Sequence, residues 1–269
     1  MSGTVYFLVQ GQFGNNLFQY FAAELMKKIY GYNEVKPTFQ INYEFQNVID
    51  DEKFKTIYDA YLHGTPIPLD TRKNILMIGF FQRSEIYKAE GEYLRSLFCI
   101  ENMSHISNRV QIGNILKYKT KHTIQPTTKD LSLHLRCGDF WDHEKKRSQI
   151  FDPVRIKEIV RSIPHETLYI VSSPIAFAWE KEYYQQFEEL NPVWIRGNMA
   201  DDFDFLMKSP KLITSASTLS WIAAFLSNAE EVHIPYNTYY GGVEGYEQSL
   251  ADFNDRCIVH HDMTYWSPL

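Results

Sequence analysis

The chain has 269 residues, 44% of them apolar and 22% charged, and a formal charge of −6, which is the profile of a globular protein with room for one broad domain or two lobes. No apolar run approaches a membrane span, so a transmembrane segment is not expected, and the acidic balance argues against broad nucleic-acid binding while allowing a local basic pocket for a phosphorylated small molecule. The three cysteines, Cys99, Cys137 and Cys257, lack metal-ligand spacing and cannot all pair, and the N-terminus enters a strand without the features of a signal peptide, which together point to a reducing, cytoplasmic setting.

Thr4 to Val9 predicts a strand, followed by Gln10-Gly-Gln-Phe-Gly-Asn-Asn16 and an amphipathic helix from Leu17 to Tyr30, with Leu17, Phe18, Phe21, Leu25 and Ile29 on one face. Strand, glycine loop and helix deliver Asn15 and Asn16 to a helix N-terminus, where backbone N–H groups and the dipole favour an anion. Gly11 and Gly14 clear space for a ligand there. The loop lacks the third glycine of a dinucleotide fingerprint and the Gly-Lys-Ser/Thr of a Walker loop, and its structural alternative is a tight turn with an asparagine cap. Tyr32 to Pro68 shows no clear element and is expected to carry acceptor specificity. Asn74 to Phe81 predicts a strand, with Gln82, Arg83 and Glu85 at its end and Ser84 capping a helix to Phe98. A further helix is expected from Ser104 to Lys117. The polar stretch from Tyr118 to Lys129 marks the boundary between an N-terminal lobe, residues 1–127, and a C-terminal lobe, residues 128–269.

Beyond that boundary strands and helices alternate. Leu131–Leu135, Leu168–Ser172, Val193–Ile195, Leu212–Thr214, Glu231–Ile234 and Cys257–His260 read as strands. Helices are expected over Pro153–Ile163 with Asp152 as its cap, Ile175–Leu190, Asp201–Lys208 and Thr218–Leu226. Repeated βα units predict an α/β fold with a parallel, doubly wound sheet. Its first strand, Leu131-Ser-Leu-His-Leu135, stops at Arg136-Cys-Gly-Asp-Phe140, so Arg136 and Asp139 emerge at the carboxyl edge where such sheets bind ligands. Ile213-Thr-Ser-Ala-Ser-Thr218 ends another strand in a hydroxyl-rich turn that caps a helix. Ser215, Ser217 and Thr218 with backbone N–H groups therefore face the same edge as Arg136. An arginine fork beside hydroxyls and amides suits a diphosphate without a metal. The structural alternatives are a solvated Arg–Asp pair and an ordinary Ser/Thr cap.

Other ligand-type clusters read as structural. Asp202-Phe-Asp204 has the D-x-D form of a metal-dependent glycosyltransferase, yet it falls at a helix start, where acids are favoured. Trp141-Asp-His-Glu144 and His260-His-Asp262 read as solvated loops, and Cys137 as a buried thiol rather than a nucleophile.

Three blocks together resemble the α-1,2-fucosyltransferase family. Gly11-Gln-Phe-Gly-Asn-Asn-Leu-Phe-Gln-Tyr-Phe21 is similar to its G-x-[LF]-G-N-Q-x-F-Q-Y-A, His134-Leu-Arg-Cys-Gly-Asp-Phe140 to its H-x-R-R-G-D-Y, and Ala216-Ser-Thr-Leu-Ser-Trp-Ile222 to its N-S-T-F-S-W-W. Gly79-Phe-Phe-Gln-Arg-Ser-Glu-Ile-Tyr87 and Asp201-Asp-Phe-Asp-Phe-Leu-Met207 echo two smaller family segments. The resemblance implies two facing Rossmann-like lobes of GT-B type and an inverting, metal-independent transfer of L-fucose from GDP-fucose to a sugar hydroxyl of a glycan acceptor, as in cytoplasmic glycan biosynthesis. No cofactor is implied besides the GDP-sugar donor. It places GDP in the C-terminal lobe, with Arg136 on the β-phosphate, His134 against the nucleotide, Asn15 near the diphosphate, and Ser217 and Thr218 completing the cradle beside Gly11, Gly14 and Asn16. Asp139 and Glu85 are candidate bases. Cys137 stands where the family has its second arginine, which leaves open a different GDP-deoxyhexose donor or a nucleotide-sugar-binding protein without catalysis.

Overall fold

The computed structural model describes residues 2–41, 45, 47–98, 124–142, 147–236, 250–261 and 263–267. The helix expected over 104–117 lies outside the described residues. The described residues fall into two compact units, one up to Gln82 and the other from Arg83 onward.

The first unit is built on a parallel sheet of β1 (Thr4–Leu8), β2 (Glu34–Thr38), β3 (Asn47–Ile49) and β4 (Ile75–Met77), in the order β2-β1-β4-β3. Helix α1 (Phe13–Tyr30) follows β1 and ends where Gly31, at φ 70, donates its N–H to the Lys27 carbonyl. Leu17, Phe18, Phe21 and Leu25 are buried on it as the apolar spacing predicts, each such burial contributing roughly 2 kcal/mol. The helix begins four positions before Leu17, because Phe13 is itself buried and Asn16 N–H already bonds to the Gln12 carbonyl. Asn15 and Asn16 therefore lie inside the first turn, and the cap position, Gln12, makes no side-chain capping bond. The segment from Tyr32 to Pro68, without clear elements in sequence, holds β2, β3 and helix α2 (Asp51–Leu62). Asp50 caps α2 by accepting Lys53 N–H.

Helix α3 (Ser84–Leu97) was expected in the N-terminal lobe but belongs with the second unit. Its buried Tyr87 sets its ring edge-on against Trp221 and Phe225, at 5.3 and 5.2 Å. Arg83, in extended conformation, occupies the cap position and Ser84 is the first helical residue, so Ser84 does not cap this helix.

In the second unit β5 (Leu131–Leu135) leads through a 3-10 turn at Gly138–Phe140 and the hairpin β6 (Trp141–Asp142) and β7 (Arg147–Ser148) to helix α4 (Pro153–Ser162). Then come β8 (Leu168–Ser172), α5 (Ala178–Gln185), β9 (Val193–Ile195), α6 (Met199–Lys208), β10 (Lys211–Ile213), α7 (Thr218–Leu226), β11 (Glu231–Pro235) and β12 (Cys257–His260). The helix expected over Ile175–Leu190 is shorter because Glu180 holds the N–H groups of Ala176 and Phe177 outside it, at 2.6 and 2.9 Å. Apart from the β6–β7 hairpin the strands form one parallel sheet, β12-β11-β10-β5-β8-β9, which is a doubly wound strand order. Leu131, Leu133, Leu135 and Cys137 project into a core with Ile156, Val160, Tyr183 and Phe187. The alternate residues Ser132 and His134 take the other face, as a strand requires. Among the described residues no helix is long and apolar enough to cross a membrane.

Candidate functional site

β5 and β10 are neighbours in the second sheet although β8 and β9 separate them in the chain. Strand order reverses between them, which makes their carboxyl ends the ligand crevice of such a sheet. A recess there is lined by His134, Arg136, Gln149, Thr214 and Ser215 together with apolar side chains that include Leu135, Ile156 and Tyr183. His134 is buried and its Nδ1 lies 2.8 Å from Ser215 Oγ. Burial, assisted by the Arg136 charge, pushes its imidazole down to about 3. His134 is therefore neutral at physiological pH, with one nitrogen engaged by a hydroxyl.

Arg136 follows the last residue of β5 with its side chain 23% exposed, and Nη2 donates to Asp139 Oδ1 at 2.6 Å. Its guanidinium also lies over the Phe140 ring, 5.4 Å from the centroid. The turn that returns Asp139 to Arg136 passes through Gly138 at φ 66, a left-handed conformation that favours glycine. The result is a permanent cation, oriented by a carboxylate and an aromatic face at a crevice mouth.

The hydroxyl turn after β10 divides its roles. Ser215 Oγ accepts Ser217 N–H at 3.2 Å and faces Ser220 Oγ at 3.3 Å, besides meeting His134. Ser217 is buried and its hydroxyl caps α7 through Leu219 N–H at 3.3 Å, while Thr218 opens the helix, half-buried. Ser215 is thus the hydroxyl that the structure joins to His134 at the recess, and Ser217 holds the helix start. Gln149 also enters the recess, from the loop after β7, and no spacing in the sequence marks it.

Gly11, Gly14, Asn15 and Asn16 sit in the first unit, at that sheet's own reversal point between β1 and β4. Gly11 is at φ 70, a left-handed conformation that favours glycine, and a Cβ there would displace the Asn15 amide. Gln82 Nε2 donates to Asn15 Oδ1 at 3.0 Å. Asn16 is buried and donates to the Gln10 carbonyl at 2.9 Å and to Gln19 Oε1 at 3.3 Å. Gln19, fully buried, spans the two strand ends by donating to the Gln10 and Gly79 carbonyls. Gln19 lies off the apolar face that the spacing of Leu17, Phe18, Phe21, Leu25 and Ile29 defines on α1, and the sequence gives no sign that its amide ties these strands together.

The remaining clusters are structural. Asp202 is buried at the start of α6, accepts Gly197 N–H at 3.0 Å, and is pushed by burial up to about 7. Asp204 pairs with Lys208 at 2.6 Å, so the two acids of the D-x-D segment serve different partners. Among the described residues no three metal-ligating side chains converge. Cys137 is buried in the core, which raises its thiol to about 12 and makes it a poor nucleophile. His260 stacks on His233 with ring nitrogens 2.8 Å apart, and His233 also meets Glu231 at 2.7 Å. Asp262, His143 and Glu144 lie outside the described residues. Glu85 is exposed in the first turn of α3.

The family profile of glycosyl transferase family 11 matches residues 35–249. Among solved structures, Arabidopsis thaliana FUT1, as a mutant in complex with GDP, is similar at a TM-score of 0.50 and 9% identity, over 88% of this chain and 71% of that one. POFUT1 in complex with GDP is similar at 0.45 and 12%, over 85% and 96%. A glycosyl transferase family 9 protein from Veillonella parvula is similar at 0.40 and 10%, over 96% and 86%. A comparison with curated proteins finds no match.

Proposed function

Because the chain belongs to glycosyl transferase family 11 and has the two parallel sheets of a GT-B-type glycosyltransferase, we propose that it transfers L-fucose from GDP-fucose to a sugar hydroxyl of a glycan. The transfer we infer is cytoplasmic, makes an α-1,2 linkage with inversion, and needs no metal. The observation that carries this reading is the β5–β10 crevice, where Arg136 stands beside a neutral, hydroxyl-bonded His134. A departing nucleoside diphosphate needs a cation that is already in place, and the structure similar to this one at the level of the fold, Arabidopsis thaliana FUT1, was solved with GDP.

In this mechanism the acceptor oxygen attacks the sugar C1 from the face opposite the diphosphate. The electron pair of the breaking C1–O bond passes to the β-phosphate oxygen, where Arg136 stabilises the developing charge, an effect on the order of 3 kcal/mol. Asp139 holds the guanidinium in place. The acceptor proton leaves late, to solvent, from a loose transition state in which the C1–O bond to the diphosphate is already largely broken. His134 and Ser215 offer a neutral donor and acceptor to the nucleotide, and the α7 start with Ser217 and Thr218 lines the diphosphate; a role for Asn15, with Gly11, Gly14 and Asn16, toward the donor is what the family resemblance implies. The Asp204–Lys208 pair and the Asp202 bond to Gly197 N–H support the metal-free reading, since neither acid is arranged to chelate.

Cys137 bears on the choice of donor. Its side chain lies in the apolar core with Leu135 and Tyr183, two residues that also line the recess, so fucose is distinguished from another GDP-deoxyhexose by assay of the donors. The test is calorimetry with GDP, GDP-fucose, GDP-mannose, UDP-galactose and UDP-glucose in EDTA, followed by transfer assays. Binding of GDP and GDP-fucose with turnover supports the proposal. Preference for UDP-sugars refutes it, and GDP binding without turnover on any glycan would mean a nucleotide-sugar-binding protein.

A further inference from the structure

Gly79, Phe80 and Phe81 leave β4 at the first sheet's reversal point, the place where open α/β sheets take ligands. The Asp51 carboxylate, from the first turn of α2, accepts both following backbone N–H groups, Phe80 N at 3.2 Å through Oδ2 and Phe81 N at 2.6 Å through Oδ1. Gln19 donates to the Gly79 carbonyl at 3.1 Å. A Cβ on Gly79 would displace the Asp51 carboxylate that holds the turn. Phe81, at φ 54, sits where a bulky residue is a rare outlier. Its ring is buried against Phe54 at 5.2 Å. Held at these points, the turn leaves the Phe80 ring 36% exposed.

An apolar ring held partly in water by a strained and hydrogen-bonded turn gains free energy when a ligand covers it. Its surroundings indicate which ligand. Two residues on, Gln82 Nε2 donates to Asn15 Oδ1, so the same strand end carries a pair of carboxamides. An aromatic face takes the C–H groups of a sugar ring, and carboxamides both donate to and accept from neutral hydroxyls. A nucleoside diphosphate calls instead for the guanidinium in the other unit.

We propose that Phe80 is the stacking platform for a pyranose ring of the acceptor, and that Asp51 is the residue that positions it. The inference rests on the glycosyl-transfer reading and adds to it a place for the acceptor. The test combines acceptor kinetics at saturating GDP-fucose, using lactose and N-acetyllactosamine, with saturation-transfer NMR of the same sugars in the presence of GDP. Phe80→Ala is expected to raise the acceptor KM about tenfold or more and to abolish the NMR transfer, with GDP affinity within about twofold of wild type. Phe80→Trp, which keeps an aromatic face, is expected to hold KM within about threefold. Asp51→Ala is expected to raise the acceptor KM with GDP affinity kept, and Asp51→Asn, which retains one oxygen for the two N–H groups, to fall between. Unchanged sugar contact in Phe80→Ala overturns the platform, as does a wild-type protein that shows no transfer to either sugar. An unchanged acceptor KM in Asp51→Ala overturns the positioning role. The two readings fail separately, because a wrong donor abolishes GDP binding and turnover whereas the NMR contact to Phe80 is read without chemistry.

Discussion

The carboxyl edges of the two sheets present different chemistry. In the second unit the reversal point holds a guanidinium, a neutral imidazole and a hydroxyl, Arg136, His134 and Ser215. In the first it holds carboxamides and an aromatic ring, with Gln19, Asn16, Asn15 and Gln82 around the turn that carries Phe80. The architecture is alike in both, a parallel sheet whose strand order reverses, yet one edge suits an anion that gains charge during reaction and the other a neutral polyol. Desolvating a fixed charge is costly unless an opposite charge meets it, whereas amides pair with hydroxyls at little net cost. Sheet topology places the two edges, and side-chain chemistry distinguishes them.

The strongest way to break this comparison is to remove the cation. Arg136→Ala is expected to lower turnover by about a hundred-fold or more, as the loss of about 3 kcal/mol of leaving-group stabilisation requires, while thermal unfolding stays near wild type because the side chain lies at the crevice mouth. Near-normal kcat in this variant would mean that the second edge is not where charge develops.

The second edge was the more legible of the two in sequence, for a physical reason. Buried parallel strands read as apolar runs, and Leu131–Leu135, Leu168–Ser172, Val193–Ile195 and Cys257–His260 have the bounds that their runs predict. Asp152 before Pro153 and Ser217 before Thr218 act as helix caps, as their residue types suggest. The first edge depends on contacts that carry no local signal. Asp51 reaches a turn 30 residues further along the chain, and Gln19 ties together strand ends separated by β2 and β3. Short β2 and β3, each half-buried or with a proline, lack the alternation that marks a strand. The placement of α3 in the second unit was equally hidden, because its amphipathic face shows that it packs but not on which partner.

Burial also puts a pH dependence into the second unit. Asp202 has its carboxyl raised from 3.8 to about 7, so the folded state binds this proton more tightly than the unfolded chain does. The resulting stabilisation is complete below the unfolded value and is lost as pH rises through 7. Between pH 5 and pH 8 this amounts to roughly 3 kcal/mol. Asp202→Asn keeps an oxygen for Gly197 N–H and has no proton to lose, so its denaturation midpoint should vary less over that interval than wild type's. Equal slopes for the two proteins would show that Asp202 ionises in place without cost.

A smaller effect sharpens the role of the hydroxyl. Ser215→Ala removes the partner of a buried imidazole nitrogen and is expected to lower kcat/KM about tenfold, the equivalent of one lost buried hydrogen bond. The cause should be a displaced His134 ring rather than a charged one, because burial holds that imidazole near 3. Nitrogen NMR of the ring at pH 5 should therefore show the neutral form in wild type. A protonated His134 at that pH would remove the reason for calling the recess a site with one fixed charge.

The smallest expected effect concerns the acids that sequence alone offered as a metal site. A divalent ion held on the phosphates would supply the charge that this reading assigns to Arg136, so the two devices are alternatives. Asp204 is satisfied by Lys208 at 2.6 Å on the exposed side of α6, a one-turn pair worth about 0.5 kcal/mol. Asp204→Ala should change turnover by less than about twofold, and EDTA should leave the rate unchanged. If EDTA abolished activity and manganese restored it, the second edge would be neutralising its diphosphate with a metal, and Arg136 would be a secondary contact. An enzyme insensitive to EDTA but crippled by Arg136→Ala would instead show that one preorganised guanidinium does the work of the ion, which is what its 2.6 Å tether to Asp139 equips it to do.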